Sequence, residues 1–229
     1  MTTAVVVLFF IMKTFTIQRA ISILREEYRS WKTPAVTIVA QCHHSPFKVL
    51  ISCIISLRTK DEVTALASSR LFERAGTPFE MKDLPVEDVA ALIYPAGFYR
   101  NKAAQIVEIS GRLVNDYDGV VPAEIDELLK FKGVGRKTAN LVLTLGFSKP
   151  GICVDTHVHR ICNRWGYVST KSPDETETAL RKKLPVEYWI EINDLLVAFG
   201  QNHCLPRSPY CSTCRLAGMC DRSGVDLSR

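Results

Sequence analysis

Apolar residues recur along this chain at spacings of three and four rather than two. Ile17, Ile21, Leu24, Tyr28 and Trp31 fall on one stripe, which predicts an amphipathic helix near the start of the chain. The same period runs through nearly every later segment, so the expected fold class is all-α. Helix starts are marked by residues that satisfy or remove the unpaired N–H groups of a first turn. These are Ser45-Pro46 before FKVLISCIISL, a capping box at Thr59-Lys-Asp-Glu62, Pro85 before VEDVAALIY, Pro122 before AEIDELLK, and Ser172-Pro173-Asp-Glu175 before TETALRKKL. Gly76, Gly111, Gly146 and Gly200 read as punctuating or closing these helices. No Gly/Ser linker divides the chain, so a domain boundary has to fall in a short turn between helices.

At 229 residues and 47% hydrophobic, the chain can bury a substantial core and suits one large domain or two small ones. Its apolar opening, TTAVVVLFFIM, is too short for a membrane span and lacks the basic region and cleavage site of a signal peptide. Met12 reads as an alternative start, with residues 1–12 a spurious or disordered extension. Cys42, Cys53, Cys153 and Cys162 sit singly, without framework spacing, as free thiols do in a reducing compartment, so a cytoplasmic location is expected. The net charge of +5 is unevenly spread. Residues 130–171 carry eight Lys or Arg against the single acid Asp155, a local +7 that leaves −2 elsewhere. Such focused positive charge suits either a solvated basic face or a polyanion, whose phosphates release condensed counterions to Lys and Arg.

Three motifs carry candidate chemistry. The stretch LLKFKGVGRKTANLVLTLGF puts Gly133 and Gly135 in a tight turn between two helices, the second starting near Arg136 and burying Ala139, Leu141, Val142 and Leu145. Two glycines at positive φ bring bare N–H groups toward an anion, and Lys132, Arg136 and Lys137 crowd the same turn, which favours phosphate over a plain αα-hairpin. Lys137 lies in the first helical turn beside Arg136, where a cationic neighbour and the helix dipole disfavour a protonated amine. An amine so depressed is a nucleophile near neutrality. In GICVDTHVHRICNRWG an apolar run ends at Asp155, an N-cap with the option of a second role, followed by the less specific His157 and His159. Finally Cys204, Cys211, Cys214 and Cys220 have the spacing C-x6-C-x2-C-x5-C. That compactness points to metal ligation, and the spacing alone leaves zinc and a cubane iron-sulfur cluster both open.

GVGRKTAN, then VDTH, then the four cysteines, in this order, resemble the endonuclease III family of DNA glycosylases in the helix-hairpin-helix superfamily. The resemblance implies two helical domains flanking a DNA-binding cleft, a helix-hairpin-helix motif and a C-terminal iron-sulfur cluster loop. It places the terminal domain at 13–38 plus 150–229 and the central domain at 39–149. It implies a 4Fe-4S cluster on the four cysteines, with Lys137 as catalytic lysine and Asp155 as catalytic aspartate. The implied activity is a bifunctional glycosylase and AP lyase of base excision repair, acting as a monomer on duplex DNA with oxidised pyrimidines or abasic sites. DNA contacts are expected from Lys132, Gly133, Gly135, Arg136, His157 and Arg207, with Arg215 as a weaker companion.

The chain also departs from the pattern. Phe131-Lys132 replaces the usual leucine-proline before the glycine turn. Arg58 stands where relatives carry a glutamine that fills the hole left by a flipped base, and Phe98 where they carry a leucine-type wedge. Both can still fill a void or intercalate, because Phe stacks and Arg is planar. A monofunctional mismatch glycosylase and a non-catalytic, redox-sensing DNA-binding protein are the competing functions. Neither requires the pair Lys137 and Asp155.

Overall fold

The computed structural model describes residues 15–229, so the readings made for residues 1–12 lie outside the described residues. The regular elements among the described residues are all helices, and residues 203–229 form an irregular loop. Its elements are α1 (Ile17–Tyr28), α2 (Ala35–His43), α3 (Pro46–Ser56), α4 (Asp61–Arg74), α5 (Pro78–Lys82), α6 (Val86–Ile93), α7 (Tyr99–Tyr117), α8 (Ile125–Leu128), α9 (Arg136–Leu141), α10 (Thr156–Arg164), α11 (Pro173–Lys183) and α12 (Ile192–Asn202). A five-residue π segment, Val142–Gly146, continues α9. No helix among the described residues is long and apolar enough to cross a membrane.

The apolar stripes assemble into two separate cores. One is built from α2 to α9 around Leu50, Ile54, Leu71, Ile93, Ile106 and Phe131. The other joins α1 at one end of the chain to α10, α11 and α12 at the other, around Leu24, Ile161, Trp165 and Phe199. Polar ties cross between them. Thr37 Oγ1 donates to Asp194 Oδ1 at 2.6 Å, and Arg136 reaches Glu177 across the opposite side. Two cores meeting through polar contacts leave a cleft between them, and that cleft holds the candidate chemistry.

Several local expectations meet a different outcome. Ser45 and Ser172 cap α3 and α11 as expected, but α4 begins at Asp61 on the N-cap Lys60, with no side-chain cap. Thr59 does not form the predicted capping box because its hydroxyl is engaged elsewhere, accepting from Gly97 N at 3.0 Å and from Lys102 Nζ at 2.9 Å. The reciprocal capping box lies instead at Thr77 and Glu80. Gly111 lies inside α7, and Gly200 inside α12, so neither closes a helix. Gly200 is small for packing: a Cβ there would lie 2.3 Å from His157 Nδ1. The helix after Pro122 shrinks to the single turn of α8, starting three residues late.

Candidate active site

The hairpin is built from the residue upward. Phe131 is buried against Tyr117 and under the Arg112 guanidinium, and it anchors the loop after α8. Gly133 turns the chain at φ +75, and a Cβ there would stand 2.4 Å from Gln105 Nε2, which donates to Lys132 O at 2.7 Å. Only this glycine needs the left-handed region. Gly135 is extended at φ −94, serves as N-cap of α9 and has open space where a Cβ would be, so its predicted positive φ is not found. The following helix buries Ala139 and Val142, with Leu141 and Leu145 only partly covered.

Arg136 pairs with Glu177, Nε to Oε2 at 3.0 Å and Nη2 to Oε1 at 2.6 Å, while its side chain stays 48% exposed. Lys132, Arg136 and Lys137 are all exposed on the turn, with Lys132 3.9 Å from Glu108. Asp155 caps α10 as read from the sequence: its Oδ1 accepts from His157 N and from Val158 N, both at 2.9 Å. Asp155 as a whole is 9% exposed. Asp155 and Lys137 line one cleft of about 220 Å³ between the two cores, together with Ser56, Thr59, His157, Asn193 and Gln201. Behind Lys137 lie two buried thiols; burial pushes Cys53 up to about 12 and Cys153 well upward, each partly opposed by the Lys137 ammonium. His157 Nδ1 is 3.1 Å from Arg160 Nη2, and burial lowers its pKa. His159 is structural, with Nδ1 2.7 Å from Thr176 Oγ1.

Arg58 and Phe98, far apart in sequence, are adjacent in space. The Arg58 guanidinium lies 5.6 Å from the Phe98 ring centroid, and both residues hold the left-handed backbone conformation, at φ +52 and +57. Phe98 is 61% exposed, so a large aromatic ring stands in solvent.

The four cysteines of the C-terminal loop line a common narrow space of about 20 Å³ with Trp165, Phe199 and Leu216. As they stand, no group of three or more His, Cys, Asp or Glu among the described residues is drawn together tightly enough to hold a metal ion. The donor set nevertheless fits a thiolate-bound group. Arg164 Nη1 donates to Cys204 Sγ at 3.4 Å and Arg222 N to Cys220 Sγ at 3.4 Å, bonds that favour thiolate. Burial acts the other way, pushing the Cys214 thiol up to about 11 and raising Cys220, so each keeps its proton unless a bound cation displaces it. His203 Nε2 is buried without a hydrogen-bond partner, and His203 lines the same space. Arg164 also donates to Leu205 O at 2.7 Å and Pro206 O at 2.8 Å, and Arg160 to Cys204 O at 2.8 Å. The helix that starts at Asp155 therefore ends by gripping the cysteine loop. Arg207 is exposed on that loop, whereas Arg215 is tied to α1 through Glu26 at 2.8 Å.

A family model described as HhH-GPD superfamily base excision DNA repair protein matches residues 51–186, more than half of the chain. An endonuclease III of Thermotoga maritima is 53% identical over 176 residues, covering 77% of this chain and 83% of that relative. The chain belongs to the endonuclease III family. The Escherichia coli endonuclease III is 36% identical over 184 residues, 80% of this chain and 87% of its own. A solved endonuclease III structure, a trapped covalent intermediate with DNA containing an estranged adenine, matches at a TM-score of 0.77 and 36% identity, over 91% of this chain and 97% of that one. The family model spans the hairpin, Lys137 and Asp155 and ends before Cys204. Within this endonuclease III fold the cleft also draws on residues that local patterns do not single out. Ser56, Thr59, Asn193 and Gln201 come from α3, the turn after it and α12, and only the meeting of the two cores makes them neighbours. Lys102 did leave a signal: it occupies the buried stripe of α7 with Ala103, Ile106, Ile109 and Leu113.

Proposed function

We propose that this endonuclease III family member is a bifunctional DNA glycosylase and AP lyase of base excision repair, excising oxidised pyrimidines from duplex DNA. The observation that carries the reading is the convergence of Lys137 and Asp155 on one cleft between the cores. Binding would bring the damaged nucleotide out of the stack into that cleft, which costs least for a poorly stacked base. Lys137, as a neutral amine, attacks C1′ of the deoxyribose. The C1′–N bond breaks, and the base leaves with the electron pair and takes a proton. Asp155 stabilises the positive charge that develops at the sugar; its Oδ1 carries both capping bonds, and Oδ2 takes neither. Ring opening gives an imine at C1′, whose protonated form acidifies C2′–H. Loss of that proton breaks the C3′–O bond, the phosphate leaves with its electron pair, and water releases Lys137.

Lys132, Gly133 and Gly135 are assigned to the phosphate backbone, and Arg58 and Phe98 to the gap left by the extruded base. His157 sits in the cleft beside Asp155, and Arg207 is assigned to a phosphate farther along the duplex. Cys204, Cys211, Cys214 and Cys220 would hold a 4Fe-4S cluster, which supplies a rigid cross-link of a loop poor in apolar residues. The two cores support a central domain and a terminal domain made from both chain ends, with the first crossing between α1 and α2. A cytoplasmic monomer is proposed.

The test is borohydride trapping on duplexes bearing thymine glycol, dihydrouracil, an abasic site or a mismatch. The expected result is a covalent adduct with the first three that disappears in Lys137→Gln. Excision of a mismatched base without strand cleavage would assign the chain to the monofunctional class instead.

A further inference from the structure

Lys102 is 5% exposed on the buried face of α7. Its Nζ donates to Ile55 O at 2.7 Å, to Thr59 Oγ1 at 2.9 Å and to Leu57 O. All three partners are neutral oxygens, and burial pushes the amine down to about 8. A Met or Leu would fill such a position without that desolvation cost, so the amine is held for what it organises.

The three acceptors bracket Arg58, which lies between Leu57 and Thr59 in the left-handed conformation. Thr59 Oγ1 also accepts from Gly97 N at 3.0 Å. At Gly97 the two backbones touch: a Cβ there would stand 2.4 Å from Arg58 O, so only glycine permits the approach. Phe98 follows directly, left-handed and N-capping α7. Two non-glycine residues in a sparsely populated conformation persist only where their surroundings impose it. Here one ammonium and one hydroxyl span both loops, with the Arg58 guanidinium over the Phe98 ring as the outcome. Thr59 lines the same cleft as Lys137 and Asp155, so the clamp also fixes the pair relative to the reacting groups.

We infer that Lys102, acting with Thr59, is the positioning residue that joins the loops at 57–59 and 95–98, so that Arg58 and Phe98 enter the duplex as one preformed wedge. The inference rests on the assignment of Arg58 and Phe98 to the gap left by the extruded base. Neither Lys102 nor Thr59 is required to touch the reacting atoms. Their contribution is preorganisation, which lowers the ordering cost of inserting two flexible side chains at the moment of base extrusion.

The experiment compares wild type, Thr59→Val, Lys102→Met, Arg58→Ala and Phe98→Ala in three measurements. These are single-turnover excision of dihydrouracil from a duplex, fluorescence of 2-aminopurine placed beside the lesion, and lyase cleavage of a single-stranded abasic oligonucleotide. A single strand has no opposing stack to wedge open. For Thr59→Val and Lys102→Met the expected loss on duplex exceeds the loss on single strand by at least tenfold, with a matching fall in the 2-aminopurine signal. Thr59→Val preserves shape at a half-buried site and decides the matter if Lys102→Met does not fold. Equal losses on both substrates, or undiminished duplex excision, overturn the clamp. If Arg58→Ala and Phe98→Ala both leave duplex excision intact, the wedge assignment itself fails, and the clamp falls with it. If they reduce excision while Thr59→Val does not, the clamp alone fails.

Discussion

The Oδ1 of Asp155 accepts both N–H bonds that open α10, while the same carboxylate lines the cleft with Lys137. The two roles separate chemically because asparagine caps a helix about as well as aspartate but carries no charge. Asp155→Asn is therefore expected to keep its thermal stability within a few tenths of a kcal/mol while losing about 10²-fold or more in single-turnover excision. Asp155→Ala should lose the activity and about 1 kcal/mol of stability besides. Full activity in Asp155→Asn would leave the residue as a cap only. Lys137 and Lys102 make a complementary pair. The exposed lysine stands in a recognisable motif, whereas the buried one is betrayed only by its place on an apolar helical stripe.

At the scale of elements, the hairpin is fastened to α11 by Glu177, whose carboxylate receives Arg136, Arg181 and Asn140. Burial alone would raise the Glu177 pKa, but the two guanidinium groups more than offset it, and the net shift is downward. A carboxyl depressed in the folded state contributes stability above its unfolded pKa and loses it as pH falls through the folded value. Glu177→Gln should thus cost about 1–3 kcal/mol near neutrality, less than a fully buried pair because both arginines are partly exposed. Melting followed from pH 6 to pH 3 should find the gap between variant and wild type closing on the acid side. A gap independent of pH would place the contribution in packing rather than in the ion pair. The signal for this fastening was hidden because Arg136 and Glu177 belong to different cores.

Across the whole molecule, the +7 counted along residues 130–171 shrinks once the chain folds. Lys130 and Lys149 pair with Glu127 and Glu124, Arg136 with Glu177, and Arg160 and Arg164 donate to backbone carbonyls of the cysteine loop. The local charge excess is thus spent largely on internal structure, and the DNA-facing charge rests on fewer residues than the count suggests. Arg207, exposed on the cysteine loop outside that segment, is proposed as a further DNA-facing cation. Arg207→Glu is expected to weaken duplex binding and to flatten its salt dependence by about one released ion, leaving absorbance near 400 nm intact. An unchanged slope would remove Arg207 from the interface, while a colourless protein with stoichiometric zinc would replace the cluster by a single ion. Because α10 carries Asp155 at one end and Arg164 at the other, disturbing the cysteine loop should also reach the cleft.

Helical period, most helix starts, the caps at Ser45, Asp155 and Ser172, the hairpin glycine at 133 and the grouping of four cysteines were all decided locally. Each depends on residues within one or two turns of one another, and that is the range over which side-chain spacing and backbone N–H satisfaction act. The cleft, the pairing of Arg136 with Glu177, the loss of the Thr59 cap and the meeting of Arg58 with Phe98 were decided only by tertiary structure. In each case residues distant in the sequence meet only when the chain folds, and for Thr59 a distant pair of donors displaces a ready local role. The half-buried Thr59 hydroxyl has acceptor capacity for either role, and burial makes the partner that excludes water the stronger. Thr59 is the clearest instance: the chain around it spells a helix cap, and the fold uses it to bind two loops together.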